Sequence, residues 1–236
     1  MSFFERNYMT ETHSTDPIIP ASPSAEDYKS QTSSRHAPRD LSWTKSEDPI
    51  ALFENWLSAA MEAELNDPHA MALATVDSDG MPDVRMVLLK GIDARGFVFY
   101  TNSQSAKGKQ IKEQSKAALC FHWKSVRRQV RVRGDVERVS EAESDDYFAS
   151  RARGSQIGAW ASDQSQQVVS REALMEATKT VENKYEGKNV PRPPHWYGWR
   201  VKPQSIEFWQ DGAYRLHDRI LFKSAQKGWL TSRLSP

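Results

Sequence analysis

Cationic side chains are concentrated in the middle of the chain, as is typical of a site for an anionic ligand. Residues 85–133 carry twelve Lys and Arg against two Asp and Glu, whereas residues 1–84 carry five against fifteen. The formal net charge of the whole chain is only +1, so the informative feature is this uneven distribution. A solvated basic face is the alternative that the residues alone leave open.

Several of these cations are placed where a phosphate could bind. Arg85 and Lys90 flank an apolar run at 86–89. Lys107 lies near the start of a predicted helix at 105–114, where free backbone N–H groups also favour an anion. The sequence therefore predicts that side chains and a helix end recognise phosphate here.

Most other chemistries lack their motifs. The chain has no G-x-G-x-x-G, P-loop, H-E-x-x-H or G-x-S-x-G pattern. The histidines do not pair at metal-ligand spacing and Cys120 is the single cysteine, so we predict neither a metal site nor an intrachain disulfide. No apolar run approaches the length of about eighteen residues that a membrane span needs, and no signal peptide is evident. We therefore expect a cytoplasmic protein without membrane contact.

Periodicity and turn signals predict an α+β fold. Residues 1–46 are rich in Ser, Thr, Pro and charge and are expected to form a flexible arm before a single domain at 47–236. Asp48 and Pro49 begin a predicted helix that stops near Asn66. Further helices are predicted at 105–114, 140–150 and 170–185, and strands at 70–76, 84–90, 96–101, 117–123, 129–139, 197–201, 205–210, 214–222 and near Trp229. The close spacing favours an antiparallel sheet that closes into a small barrel with flanking helices.

Seven short strings along the chain resemble one known family. They are RMVLLK at 85–90, FYTN at 99–102, RQV at 128–130, SQIGAW at 155–160 with QS at 164–165, IEFW at 206–209, RLHDR at 215–219 and RLSP at 233–236. In this order, and over the chain from about Asp48 to Pro236, they resemble the pyridoxamine 5′-phosphate oxidase family.

This resemblance implies a homodimer of FMN-binding split β-barrels with its sites at the subunit interface. It implies oxidation of pyridoxamine 5′-phosphate and pyridoxine 5′-phosphate to pyridoxal 5′-phosphate, with O2 as acceptor, H2O2 as product and NH3 released from the amine. The residues implied to bind FMN are Arg85, Met86, Val87, Leu88, Leu89, Lys90, Tyr100, Thr101, Lys107, Gln129, Gln164, Ser165, Trp209 and Arg219. Those implied to bind the substrate are Lys90, Tyr147, Arg151, Ser155, Arg215 and His217.

Arg215 and His217 are the residues to which the resemblance assigns catalytic contacts. Arg215 is expected to cover the substrate ring and His217 to contact its 3-hydroxyl. On the predicted strand 214–222, both would share one face with Arg219. One departure from the family is Ala106, because many members have a second cation just before the lysine that Lys107 matches.

Two other classes of protein remain as alternatives. A split-barrel protein could bind FMN or pyridoxal phosphate as a carrier without turnover, which an oxygen-consumption assay would separate from an oxidase. A basic β-barrel with interleaved aromatics could instead bind nucleic acid. That protein would be colourless and would bind oligonucleotides in a salt-sensitive manner, whereas a flavoprotein is yellow.

Overall fold

The computed structural model of the chain describes residue 26 and residues 40–236. Residues Asp40–Pro236 form one compact unit. Its helices are α1 (Pro49–Ala63), α2 (Ala106–Gln114), α3 (Glu141–Ser150), α4 (Arg153–Ala161) and α5 (Arg171–Lys184), with short 3-10 turns at Ser42–Lys45 and Ala213–Arg215. None of the helices in this part of the chain is both long and apolar enough to span a membrane.

Helix α1 begins where its sequence predicts and closes one side of the core. The Asp48 carboxylate accepts hydrogen bonds from the backbone N–H groups of residues 50 and 51, and Pro49 occupies the first turn, where a missing N–H costs nothing. The buried face of α1 places Phe53 edge-on against Phe97 and Phe121, with ring centroids 4.9 and 4.8 Å apart. The helix therefore anchors the sheet from one face.

Nine strands within residues 40–236 form one antiparallel sheet. They are β1 (Ala70–Val76), β2 (Pro82–Leu88), β3 (Gly91–Asp93), β4 (Gly96–Asn102), β5 (Lys116–Trp123), β6 (Arg128–Arg138), β7 (Trp196–Gln210), β8 (Asp218–Ser224) and β9 (Trp229–Arg233). Their order is β2-β1-β5-β6-β7-β4-β3, while β8 pairs with both β7 and β9. The sheet curls into a half-barrel, which confirms the predicted antiparallel split barrel.

Strand β7 is a single element of fifteen residues, where the sequence predicted two strands separated near Pro203. The first half of β7 pairs with β4 and the second half with β8, and the whole length of β6 pairs with β7. Between Arg133 and Gly134 the register shifts, so Gln204 is an extra residue on β7. This bulge lets a proline sit inside a central strand, and the two predicted strands are therefore continuous.

The helices that follow β6 were only partly predicted. Helix α3 begins with the predicted capping box, in which Ser140 and Glu143 satisfy each other's backbone N–H groups. Helix α4 was not predicted as a helix, because Gly154 and Gly158 lower its intrinsic propensity and no side chain caps it. The helix is stabilised instead by the packing of Ile157 in a buried apolar cluster.

The folded unit extends slightly further towards the amino terminus than the predicted boundary at residue 47. Trp43 is buried, and its ring packs edge-on against Trp56 of α1, with the ring centroids 4.9 Å apart. Apart from residue 26, the segment 1–39 lies outside the described residues, so its expected flexibility stays a prediction.

Candidate active site

A cavity of about 510 Å³ opens between strands β2 and β4 and helices α3 and α4. It is lined by Met86, Val87, Leu88, Lys90, Tyr100, Thr101, Asn102, Lys107, Tyr147, Arg151, Ser155, Gly158, Ala159, Ser162, Gln164 and Trp196. Eleven of these sixteen residues are among those that the sequence resemblance selected. Segments that are far apart in sequence thus meet around one space.

One end of the cavity is the amino terminus of α2. Ser105 caps the helix by accepting the N–H of Gly108 at 3.4 Å. A Cβ on Gly108 would lie 2.6 Å from backbone atoms of Ser103, so a glycine is needed for the helix to start so close to β4. The first turn of α2 carries free backbone N–H groups and a partial positive charge, and its Lys107 lines the cavity.

Lys107 adds a full charge at this helix end. Its side chain is only 8% exposed and its Nζ lies 3.4 Å from the Ser105 hydroxyl. Burial lowers the pKa of Lys107, and the nearby positive charge of Arg85 lowers that pKa further. Arg85 is held by the Thr75 hydroxyl and by an ion pair with Asp83, each at 2.5 Å. Two cations and a helix end therefore point to an anion subsite.

A second cationic group comes from α3 and α4. Arg151 ends α3, and its Nη1 is buried without a hydrogen-bond partner among the described residues. Burial lowers the pKa of Arg151 and raises that of Tyr147. Together with Ser155 of α4 and Lys90 beyond β2, these side chains offer two cations and two hydroxyl donors to the same cavity.

Stacked aromatic rings form the wall between these two groups. The Tyr100 ring lies 4.0 Å from the Tyr147 ring and 5.5 Å from the Trp196 ring, with interplanar angles of 21° and 14°. The Arg151 guanidinium lies over Trp196 at 4.6 Å. Gly198 makes this arrangement possible, because a Cβ there would lie 2.7 Å from the ring of Tyr100. Trp196 was missed by sequence reasoning, and its only signal was an aromatic residue at the start of a strand.

Gln164 connects the loop after α4 with β4, because its side-chain oxygen lies 3.3 Å from the Thr101 hydroxyl. Three of the predicted cofactor residues, Arg85, Leu89 and Ser165, do not line the cavity. Leu89 is buried in the main core, and Ser165 is an exposed residue with a left-handed φ of 70°.

The other predicted residues lie together elsewhere on the same chain. Gln129, Trp209 and Arg219 are register partners across β6, β7 and β8, so they form one row. Arg219 contacts the buried Glu207 at 2.9 Å, and the His217 ring lies 4.6 Å from the Trp209 ring. Within one chain, the predicted site is therefore divided between the cavity and this row.

The predicted strand 214–222 is wrong in its first half. Strand β8 begins at Asp218, Arg215 ends a 3-10 turn, and His217 lies between the two elements. Tyr214 and Arg215 both have positive φ angles, 55° and 62°, which a strand excludes. Arg215 and His217 therefore do not alternate with Arg219 on a strand face. Instead, the His217 Nδ1 atom lies 3.2 Å from the Asp211 carboxylate.

The curled antiparallel sheet and its cationic cavity define the class of protein: a split-barrel protein with a built site for an anionic ligand. Two sequence families match in chain order. The family described as pyridoxamine 5′-phosphate oxidase matches residues 57–185, and the one described as the pyridoxine 5′-phosphate oxidase C-terminal dimerisation region matches residues 196–236.

Similar proteins extend over nearly the whole chain. A pyridoxine/pyridoxamine 5′-phosphate oxidase of Caulobacter vibrioides is 59% identical over 224 residues, which cover 94% of this chain and 100% of that protein. One of Azorhizobium caulinodans is 58% identical over 196 residues, covering 82% and 92% of the two chains. The crystal structure of PhzG from Burkholderia lata superimposes with a TM-score of 0.79 at 32% identity, covering 84% of this chain and 98% of that one. The chain belongs to the pyridoxamine 5′-phosphate oxidase family.

Proposed function

We propose that this protein is an oxidase that converts pyridoxamine 5′-phosphate and pyridoxine 5′-phosphate to pyridoxal 5′-phosphate, with FMN as cofactor and O2 as oxidant. For the amine, the balanced reaction consumes one O2 and one water and releases NH3 and H2O2; for the alcohol, one O2 is consumed and H2O2 is released. The observation that carries the proposal is one cavity with two separate cationic subsites. Both the cofactor and the substrate carry a phosphate, so two subsites fit two phosphates.

The α2 end of the cavity fits the phosphate of FMN. Lys107 is buried there, and among the described residues no carboxylate pairs with it within 4 Å. An unpaired buried ammonium is costly unless a ligand supplies the counter-charge. The first N–H groups of α2 would add donors to the same phosphate, and Arg85 would add positive charge close to Lys107. When bound, FMN supplies a hydride acceptor that O2 can reoxidise.

The α3 and α4 side of the cavity fits the phosphate of the substrate. In the part of the chain that the structure describes, the buried Arg151 Nη1 has no acceptor, and a phosphate oxygen would provide one. Lys90, Tyr147 and Ser155 lie around the same cavity wall. Binding the phosphate at a fixed point orients the reacting carbon of the substrate, which is the protein's main contribution when the cofactor performs the chemistry.

The row of Gln129, Trp209 and Arg219 is proposed to complete the cavity of a second subunit in a homodimer. Residues 196–236, which contain β7, β8 and Arg215, match a family region described by its dimerisation. Strand β2 also presents apolar side chains on one exposed face, where Val84 and Met86 are each 64% exposed. A partner that covers this face would bring Arg215 and His217 to a cavity from which they are separate in the single chain.

Two measurements test the proposed function. The purified protein should be yellow, and it should consume O2 with pyridoxamine 5′-phosphate but far more slowly with pyridoxamine, which lacks the phosphate. Bound FMN without O2 consumption would favour the carrier alternative. A colourless protein that binds oligonucleotides in a salt-sensitive way would overturn the proposal. The cytoplasmic location and the absence of nucleic-acid and membrane partners stay predictions from the sequence.

A further inference from the structure

Helices α3 and α4 carry three of the proposed substrate-phosphate ligands, yet neither belongs to the sheet. Their apolar support is a small cluster in which Phe148, Ile157, Val190 and Trp196 are buried. Such a cluster is much smaller than the main core, so apolar packing alone gives these helices limited restraint. Polar contacts must contribute to holding them in register with the sheet.

Some of these contacts join α3 directly to the sheet: Ser144 accepts the N–H of Gly198 at 3.2 Å, and Glu143 pairs with Arg200 at 2.8 Å. The others come from residues 185–195, which we call the strap and which connect α5 to β7. Arg153 of α4 donates to the backbone oxygens of Tyr185 and Lys188 at 2.6 and 2.9 Å. Trp160 of the same helix donates to the Pro191 oxygen at 2.7 Å. The donors are thus side chains of α4 and the acceptors are backbone oxygens of the strap. Substitutions in α4 could therefore remove these contacts, whereas substitutions in the strap would leave its backbone oxygens in place.

Helix α3 is tied in the opposite sense, by a side chain of the strap. Arg192 donates from Nε to the Asp145 carboxylate at 2.7 Å, pairs through Nη2 with Glu141, and donates from Nη1 to the Trp196 backbone oxygen at 2.8 Å. The Arg192 side chain is only 9% exposed, whereas both carboxylates are about 60% exposed. One planar guanidinium therefore joins two successive turns of α3 to the start of β7.

Trp196 is the residue through which this junction reaches the cavity. Its ring lies under the Arg151 guanidinium at 4.6 Å and is parallel to the Tyr147 ring, 6.1 Å away at an angle of 8°. A shift of α3 relative to Trp196 would move both phosphate ligands against the ring that supports them. Arg192 itself does not line the cavity.

We propose that Arg192 is a positioning residue for the substrate-phosphate subsite, acting by fixing α3 against Trp196. The inference rests on the proposed function, because that function assigns the substrate phosphate to Arg151 and Tyr147. FMN binding depends on the other end of the cavity, so it is independent of Arg192. Loss of Arg192 thus weakens recognition of the substrate more than it affects the cofactor or the chemical step.

Arg192→Met is the decisive variant, and Arg95→Met is its matched control. Arg95 is 59% exposed and forms an ion pair with Glu143 of α3, but it touches neither the strap nor Trp196. Arg192→Met should raise KM for pyridoxamine 5′-phosphate by about tenfold or more, since displacements below an ångström suffice for such losses. The kcat and the FMN Kd should stay within about twofold of wild type, and Arg192→Lys should recover part of the KM. The control should match wild type throughout.

Hydrogen exchange supplies a readout that does not depend on turnover. Amides of residues 141–161 should exchange faster in the Arg192→Met holoenzyme, while those of β5 and β6 should be unchanged. A wild-type KM in Arg192→Met, or a parallel loss of kcat, FMN affinity and folded protein, would overturn the inference.

Binding of pyridoxal 5′-phosphate to the FMN-loaded protein separates the inference from the proposed function. If wild type binds this compound but does not oxidise pyridoxamine 5′-phosphate, the function fails; the inference then stands only if Arg192→Met weakens that binding. If wild type neither binds nor reacts, both proposals are wrong.

Discussion

Replacing Lys107 with methionine should weaken FMN binding while leaving the apoprotein no less stable. Methionine retains most of the side-chain volume but removes the charge, which is buried and lies near Arg85. A charge-assisted hydrogen bond contributes about 1.5 to 3 kcal/mol. The FMN Kd should therefore rise about 10- to 150-fold, at a factor of ten for every 1.4 kcal/mol. Without FMN the same change relieves an unpaired buried charge, so the melting temperature of the apoprotein should be equal or higher.

The lowered pKa of Lys107 gives this prediction a pH dependence with a definite sign. Because burial and Arg85 lower its pKa, Lys107 loses its proton at a lower pH than an exposed lysine does. FMN binding requires the charged form, so the affinity should fall as the pH rises through that lowered pKa. Lys107→Arg keeps its charge over this range and should flatten the alkaline fall in affinity.

Fluorescence titration of the apoprotein with FMN, together with thermal unfolding with and without FMN, measures both effects. Lys112→Met is the control, because Lys112 is exposed on the same helix. Ala106→Arg should strengthen binding by supplying a second cation at the helix start. Unchanged FMN affinity in Lys107→Met would remove Lys107 from the phosphate subsite. A large loss of apoprotein stability in that variant would refute the reasoning about its buried charge.

Three further predictions concern the chemical step, the stability and the assembly. Arg215→Met should slow flavin reduction in anaerobic stopped-flow far more than it changes the FMN Kd, and a wild-type reduction rate would contradict the assigned role. Hydrogen bonds from Ser140, followed by a hydrogen bond from Arg200, lower the pKa of Glu143 from its usual 4.5 to about 2. After discounting for exposure, that shift contributes about 1 to 2 kcal/mol to stability, present above about pH 4.5 and lost as the pH falls towards 2. Urea unfolding at several pH values should show this loss in wild type but not in Glu143→Gln. Finally, mixing inactive Arg85→Ala and Arg219→Ala variants should restore partial activity if the two residues reach one site from different subunits, and a fully active monomer in light scattering would exclude the shared site.

The elements that the sequence predicted correctly are those whose signals are local. Asp48 and Pro49 begin α1, and the Ser140–Glu143 capping box begins α3, because a cap depends on residues within a few positions of one another. Helix α4 depends on packing of Ile157 against other segments, which its glycine-containing sequence does not reveal. The continuity of β7 likewise depends on its bulge at Gln204, which pairing with Gly134 of the neighbouring strand β6 produces.

The cavity was predicted less by residue patterns than by the family resemblance. Charge segregation indicated an anion site near Lys107, and the structure places this lysine at a helix start that also donates N–H groups. The i,i+4 spacing of Tyr147 and Arg151 puts them on one side of α3, but that this side lines the cavity depends on how α3 packs over β4 and β7. The positive φ values of Tyr214 and Arg215 were equally hidden, because such angles in residues other than glycine have no reliable sequence signal.

The close approach at Gly198 restricts which sequences this site can tolerate. A methyl group there would lie 2.6 Å from Val139 and 2.7 Å from Tyr100, so even alanine displaces a ring that lines the cavity. Such a change would disturb the ligand-binding geometry as well as the folding of the chain, although position 198 contacts no ligand in the proposed site. Position 198 is therefore coupled to positions 100 and 139, because a side chain there needs room from both Tyr100 and Val139. A smaller residue at 100 would also remove the ring that stacks on Tyr147. Divergence at this wall of the barrel must therefore change several positions together.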